Sequence, residues 1–264
     1  MLFTSYGFIA FLAVLFALYY VIPKRLQWLL LLAADAVFYA CAGWKGLCFM
    51  AATVVVSWAA TNLMGASLKE QKAFLSSPEG RALERAERKA YKKQCEKRRK
   101  LIFVLALIAD IGILAALKYT NFLINNVNAI FSADIASVDW VLPLGISFYT
   151  FQTVSYVIDV YWEKVEPERN ILRAALFTSF FPLLIQGPIS RFGDLKDTLF
   201  AGHKADFKQI SFGLQRILWG YFKKLVIADR LLVAVTALCG DPEAYTGAYV
   251  FIGAVLYAAE LYAD

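Results

Sequence analysis

The residues that could do chemistry in this chain interrupt sequence that is otherwise apolar. Residues 180–195 read FFPLLIQGPISRFGDL: an apolar helix takes Pro182 early, breaks at Gln186, Gly187 and Pro188, and then meets a cation at Arg191. A second stretch, GLQRILWGYFKKLVIADRLLVAVTALCG from Gly213, sets Arg216, Lys223 and Arg230 seven residues apart, so along one helix face with slight drift. Lys224 and Asp229 fall beside them. Freed backbone N–H groups next to cations stabilise negative charge. Other positions are weaker candidates. In LPLGISFYTFQTVSYVIDVYW (142–162), Gly145, Tyr149, Gln152 and Tyr156 follow helical spacing and make a polar-aromatic stripe. Such a stripe either lines a substrate path or makes hydrogen bonds between helices. Asp35 and Asp110 are lone carboxylates in apolar runs, each expected to pair with a neighbouring helix, and Glu260 and Asp264 share a helix face. The one histidine, His203, lies in the polar stretch AGHKADFKQ and reads as an exposed loop residue, so a His-rich metal site is excluded. The four cysteines (Cys41, Cys48, Cys95, Cys239) have neither metal-ligand nor redox spacing.

The elements that hold these residues must be membrane helices. The chain is 60% hydrophobic and 18% charged, against about a quarter charged in a soluble domain. Several apolar runs approach the roughly 20 residues that a bilayer requires, which makes this an all-α polytopic membrane protein. The first run, Leu2 to Ile22, has no basic residue before it and no cleavage pattern after it, so it reads as a retained helix. Spans are expected near 2–22, 26–43, 46–68, 101–118, 141–162, 210–239 and 244–263, seven in all. Residues 119–131 either extend the fourth helix or lie along the interface.

Between the third and fourth spans, residues 69–100 carry twelve Lys or Arg and five Glu, a net +7. Tyr91 is the one aromatic placed to stack on a base. The segment is therefore expected to be a basic cytoplasmic loop that prefers anionic lipid rather than nucleic acid, with Arg81–Lys100 a helix on or near the membrane surface. Putting it inside sets the N-terminus outside, and Lys24 and Arg25 inside. Run 171–185 is too short to cross comfortably. If it enters the membrane and turns back, Arg191, Lys196, Lys204 and Lys208 also stay inside. The inner loops then hold 21 basic residues and the outer ones only Lys45 and Lys118. Charge and length together predict a re-entrant or tilted helix pair at 171–195, with its broken backbone facing protein or a wet cavity rather than lipid. Lys223 and Lys224 admit two readings, an intramembrane cluster facing the bundle interior or a pair snorkelling to headgroups. Asp229 and Arg230 lie deeper and are expected to be paired and buried.

Three blocks in order, LPLGISFYTFQTVSYVIDVY, FTSFFPLLIQGPISRF and GLQRILWGYFKKLVIADRL, followed by ELYAD, resemble the membrane-bound O-acyltransferase family, and most closely its bacterial branch. The resemblance runs through the whole chain, as the N-terminal part of one such domain (1–264). It implies a ring of many helices around a funnel, where an acyl group from a cytoplasmic donor, an acyl carrier or acyl-CoA, meets a hydroxyl acceptor. The acceptor would be an extracytoplasmic polysaccharide or cell-wall polymer, reached directly or through a partner transferase, and the location a bacterial inner membrane. No bound cofactor or metal is implied. Gln186, Gly187, Pro188 and Arg191 match the family's GPI-x-R block, and Gln152, Lys223, Lys224, Asp229, Arg230 and Asp264 join them as funnel candidates. The small residue that relatives often carry before the Gly-Pro is absent here. Acyl transfer to a hydroxyl needs a base titrating near neutrality. The family's catalytic histidine is expected downstream of Asp264, so this chain holds no catalytic residue of its own. Two other classes share these features: a transporter or flippase-like subunit, and a scaffold that docks an acyl carrier through 69–100.

Overall fold

The computed structural model describes residues 3–139, 142–185, 187–240 and 245–264. They are helical, with no strand among the described residues, and form two compact units. One is Ala10–His203, and the other is Lys204–Asp264 with the chain up to Ile9.

In the first unit, the part of α1 (Tyr6–Val21) from Ala10 onward leads through a short 3-10 turn to α2 (Gln27–Ala42), and Gly43 alone joins α2 to α3 (Trp44–Ser76). A single turn, α4 (Pro78–Ala82), connects α3 to α5 (Arg85–Phe131). Ser77 caps α4 by accepting the Gly80 N–H at 3.1 Å, and Glu84 with Glu87 forms a capping box that starts α5. Three helices are long and apolar enough to cross a membrane: Lys24–Ala42, Trp44–Ser76 and Arg85–Phe131. α1 and α12 (below) are apolar but shorter, with 16 residues each.

The basic insertion is not a separate surface helix. Its first residues prolong α3 and its last sixteen belong to α5, whose 47 residues extend about 70 Å. That is more than twice the hydrocarbon thickness of about 30 Å, so the basic part of α5 stands off the apolar part as an arm. Phe74 and Tyr91 close the arm with ring centroids 4.6 Å apart. At its other end α5 absorbs 119–131. There Asn121 and Asn128 each exchange two hydrogen bonds with the backbone of one residue, Val138 and Ile135, and so pin the extended segment that follows.

α6 (Ile146–Tyr161) begins later than 141, because Pro143 and Gly145 delay it. α7 (Ile171–Ser179), α8 (Phe181–Leu184) and α9 (Phe192–Phe200) complete the unit. Its core joins Ala60 and Met64 of α3, Ala106 of α5, Tyr156, Val157 and Val160 of α6, Leu176 and Phe177 of α7, and Phe192 and Leu199 of α9. Tyr156, Phe177 and Phe192 form an aromatic triangle with centroids 4.5–6.1 Å apart. Exposed Leu101, Leu105 and Ile108 leave an apolar face on α5 suited to lipid.

In the second unit, α10 (Phe207–Phe222), a π-helical turn (Lys223–Ala228) and α11 (Asp229–Cys239) run on without a break, as the single run 210–239 predicts. α12 (Ala248–Ala263) packs along α11 and the π turn. Gly253 makes room for the Cys239 sulfur, which would lie 2.5 Å from an added Cβ.

Candidate functional site

The broken helix of the first unit begins at Asn170, whose side chain caps α7 by accepting the Leu172 N–H at 2.9 Å. Nine residues of α7 extend about 13.5 Å, under half the hydrocarbon thickness. The first break falls at Phe180, six residues before Gln186, which lies outside the described residues. There the chain needs acceptors for freed N–H groups. The buried carboxylate of Asp35 supplies them: Oδ1 accepts the Phe181 N–H at 2.9 Å, and Oδ2 accepts the Ser179 hydroxyl at 3.1 Å. Pro182 needs no acceptor, and the Leu183 N–H donates to the Phe180 carbonyl. The partner expected for Asp35 is thus the broken segment itself.

Three further contacts hold this segment. Gln152, 3% exposed on α6, donates to the Phe177 carbonyl at 2.8 Å. Gln152 is therefore a brace between helices, and of the two readings of the α6 stripe the hydrogen-bonding one applies at this position. Gly145 adopts φ +67°, and a Cβ there would lie 2.2 Å from the Leu184 carbonyl oxygen, so the start of α6 meets the tip of α8 without room for a side chain. Gly187 folds back so closely that an added Cβ would lie 2.4 Å from Leu183 Cα. After Pro188 the chain emerges at Arg191, an exposed residue whose Nη1 lies 4.0 Å from the buried carboxylate of Asp159 on α6. Sequence reasoning passed over Asp159, because nothing local marks it as a partner for a residue 32 positions away.

Both ends of this excursion meet. The Arg173 guanidinium at the start of α7 lies 5.5 Å from the Trp28 ring at the start of α2 and 5.3 Å from the Phe200 ring at the end of α9. Just beyond, Gln27 accepts the His203 N–H at 2.8 Å and donates to its carbonyl at 3.0 Å. The His203 ring reaches the Thr198 carbonyl, at 2.9 Å, as befits a connecting residue. The loop that precedes α7 is tied to α3, where Trp58 donates to the Arg169 carbonyl and Asn62 to the Glu168 carbonyl. Elsewhere in this unit Asp110, fully buried, accepts from Ser57 of α3 at 2.8 Å, the pairing with a neighbouring helix expected for it.

In the second unit, the Lys224 ammonium pairs with Asp229 at 3.3 Å and with Asp264. The π turn explains the first pairing. The Asp229 N–H donates to the Lys224 carbonyl, so residues five apart stack one above the other, which an α-helix does not allow. π turns inside α-helices are frequent at functional sites, and no sequence signal announced this one. Two expectations are corrected here. Asp229 is paired, with Lys224, but it is not buried, and its side chain remains 42% exposed. Arg230 is exposed, with no ion pair among the described residues. Lys223 is half-buried and likewise without an ion pair among the described residues. Asp264 and buried Glu260 share a face of α12, joined by the Asp264 N–H to the Glu260 carbonyl. Among the described residues no three His, Cys, Asp or Glu side chains gather as metal ligands would.

Helices without strands, apolar crossings and a broken segment held by buried polar side chains define an all-α membrane protein. Over its whole length the chain is 33% identical to a probable alginate O-acetylase, AlgI, of Azotobacter vinelandii and covers 48% of that protein. The probable alginate O-acetylase of Pseudomonas aeruginosa is also 33% identical, with 46% of its length covered. A peptidoglycan O-acetyltransferase of Helicobacter pylori is 31% identical over half of this chain and 30% of its own length. No family model and no solved structure matches. The chain is similar to these relatives along their N-terminal half. It spans about half the length of the curated relatives it matches.

Proposed function

We propose that this chain is the N-terminal half of a membrane-bound O-acyltransferase that esterifies hydroxyls of an extracellular polysaccharide or cell-wall polymer, with acetyl as the acyl group. The observation that carries this reading is similarity over the full chain to proteins named as alginate O-acetylases, joined by a peptidoglycan O-acetyltransferase. The acyl donor, an acyl carrier or acyl-CoA, is a substrate consumed from the cytoplasm. An acceptor hydroxyl oxygen attacks the acyl carbonyl, the thioester C–S bond breaks, and the hydroxyl proton passes through a base to the departing thiol. That base is the histidine expected downstream of Asp264. In this half, Gly187, Pro188 and Arg191 form a funnel wall that favours negative charge, braced by Gln152. Lys223, Lys224, Asp229, Arg230 and Asp264 contribute a second charged patch.

The proposed location is a bacterial inner membrane, with the N-terminus outside and residues 69–100 inside. The charge distribution supports it, as does the contact of Arg173 with both Trp28 and Phe200. That contact puts the residues flanking 171–200 at the end of the bundle that carries Lys24 and Arg25. Deletion of the full-length gene, followed by assay of ester-linked acetate on purified surface polymer, tests the function. Loss of ester and its return on complementation are expected. An unchanged ester content, together with a full-length product that transfers no acyl group, overturns the proposal.

A further inference from the structure

A cavity of about 280 Å³ opens between α3, α5, the end of α6 and the loop that follows it. Its floor is apolar, with Met64 and Val160, and Gly65 lies so close to Pro167 that an added Cβ would sit 2.4 Å from the proline Cγ. Its walls carry four cations, Lys69, Lys72, Arg99 and Lys164, against two carboxylates, Glu163 and Glu166. Glu163 answers two of the cations at once: Oε1 accepts from Arg99 Nη1 at 2.9 Å, and Oε2 lies 3.2 Å from Lys72 Nζ. It does so at φ +60°, a left-handed backbone that costs a non-glycine residue energy. Lys164 lays its ammonium over the Trp162 ring at 4.6 Å, and Lys69 has no ion pair among the described residues.

Arg99 is the pointer to a ligand. It is only 9% exposed, and its Nε–H is buried with no hydrogen-bond partner among the described residues. A buried guanidinium is normally satisfied around its whole fork. One carboxylate cannot do that while also serving Lys72. A tetrahedral anion with several charged oxygens adds acceptors, taking hydrogen bonds from the edge of the Arg99 guanidinium that lines the cavity and reaching Lys72 and Lys69 from other corners. The cavity is at the small end of ligand sites, room for a phosphate with a few attached atoms. It lies at the root of the basic arm, where the apolar part of α5 gives way to its charged part, and its floor is apolar.

We infer that this cavity is a phosphate-binding site, taking the phosphate ester of a lipid headgroup or of a small soluble compound. The inference does not depend on acyl transfer.

The test uses the full-length protein, exchanged free of copurified lipid into phosphatidylcholine nanodiscs, with thermal unfolding as the readout. Inorganic phosphate is titrated at constant ionic strength against chloride. In a parallel series, phosphatidylglycerol replaces part of the phosphatidylcholine. Saturable stabilisation is expected in one series, and Arg99→Gln or Lys72→Gln should raise the half-saturating level about tenfold. Lys92→Gln, on the exposed face of the same arm, should leave it unchanged. Saturation by inorganic phosphate assigns a soluble ligand, and saturation by phosphatidylglycerol alone assigns a headgroup. The Lys72 side chain is 65% exposed, so its substitution keeps the test open if Arg99→Gln does not fold. Absence of saturable stabilisation in both series overturns the site. So does an equal loss in Lys92→Gln, which would mean diffuse attraction to the arm.

Discussion

The guanidinium of Arg173 lies 5.3 Å from the ring of Phe200, although 27 residues of chain separate them. Between the two the backbone travels out along α7 and α8, reaches Gly145 at the start of α6, and returns through Arg191 and α9. A single crossing would leave these residues at opposite ends of the bundle. An excursion that returns leaves them in contact. Cation–π packing of this kind contributes about 0.5–2 kcal/mol, and here it also closes the mouth of the segment against Trp28 of α2.

The return depends on a carboxylate. Asp35→Ala removes the acceptor of the Phe181 N–H and of the Ser179 hydroxyl together. The expected cost is about 1–3 kcal/mol, the usual penalty when a buried hydrogen-bond partner is removed. Thermal unfolding of the purified full-length protein should show a lower midpoint, with Asp35→Asn closer to wild type because it keeps one acceptor. An Asp35→Ala midpoint equal to wild type would mean the break is held by something else.

Gly145 is constrained twice, by its left-handed backbone and by the Leu184 carbonyl pressed against it. The conformation alone costs an alanine about 1–2 kcal/mol, and the close approach adds to that. Gly112, in α5, has open space around it. Its replacement by alanine should be neutral or stabilising by up to about 1 kcal/mol. Yield and unfolding midpoint of the two variants, measured side by side, should therefore diverge in opposite directions.

Arg191 is 61% exposed and sits 4.0 Å from Asp159, so its ion pair contributes little to stability, about 0–1 kcal/mol. Under the proposed function, its position after the Gly187-Pro188 break assigns it to holding negative charge. Arg191→Ala is expected to reduce acyl transfer by about tenfold, the cost of roughly 1.4 kcal/mol of lost interaction, while the unfolding midpoint barely moves. Lys196→Ala, on the returning α9, should retain most activity. Equal activities at matched expression would contradict this role.

Glu163 makes a pH prediction. The hydrogen bond from Arg99 is the chief cause holding its carboxyl below the usual carboxylate range, and Lys72 adds to it. With the folded value depressed, the folded state binds the proton less readily than the unfolded chain. The stabilisation is therefore present above the unfolded value, near 4.5, and is lost as pH falls through the folded one. The side chain is 41% exposed, so the effect is a fraction of 1 kcal/mol. Unfolding midpoints measured into that acidic window should fall less steeply in Glu163→Gln than in wild type. Identical slopes would show that the Arg99 contact does not persist in solution.

The sequence determined on its own whatever depends on local composition. Apolar runs made the helices, because in a bilayer the backbone must satisfy its own hydrogen bonds. Pro143 and Gly145 delayed α6, and the Gly187-Pro188 pair after α8 marked a break, because these residue types restrict or free the backbone wherever they stand. The order of the blocks was enough to suggest the family. What it left undecided depends on which helix lies beside which. The first break falls at Phe180 because Asp35, 146 residues from the Phe181 it binds, waits there with two acceptor oxygens. Gln152 became a brace because the Phe177 carbonyl faces it. Lys224 gained Asp229 because one π turn brings residues five apart onto one face. The basic insertion became a standing arm because α3 and α5 run into it without stopping. Hydrogen bonds and ion pairs act over a few ångströms of space, whatever the distance along the chain, so only the tertiary structure decided these partners.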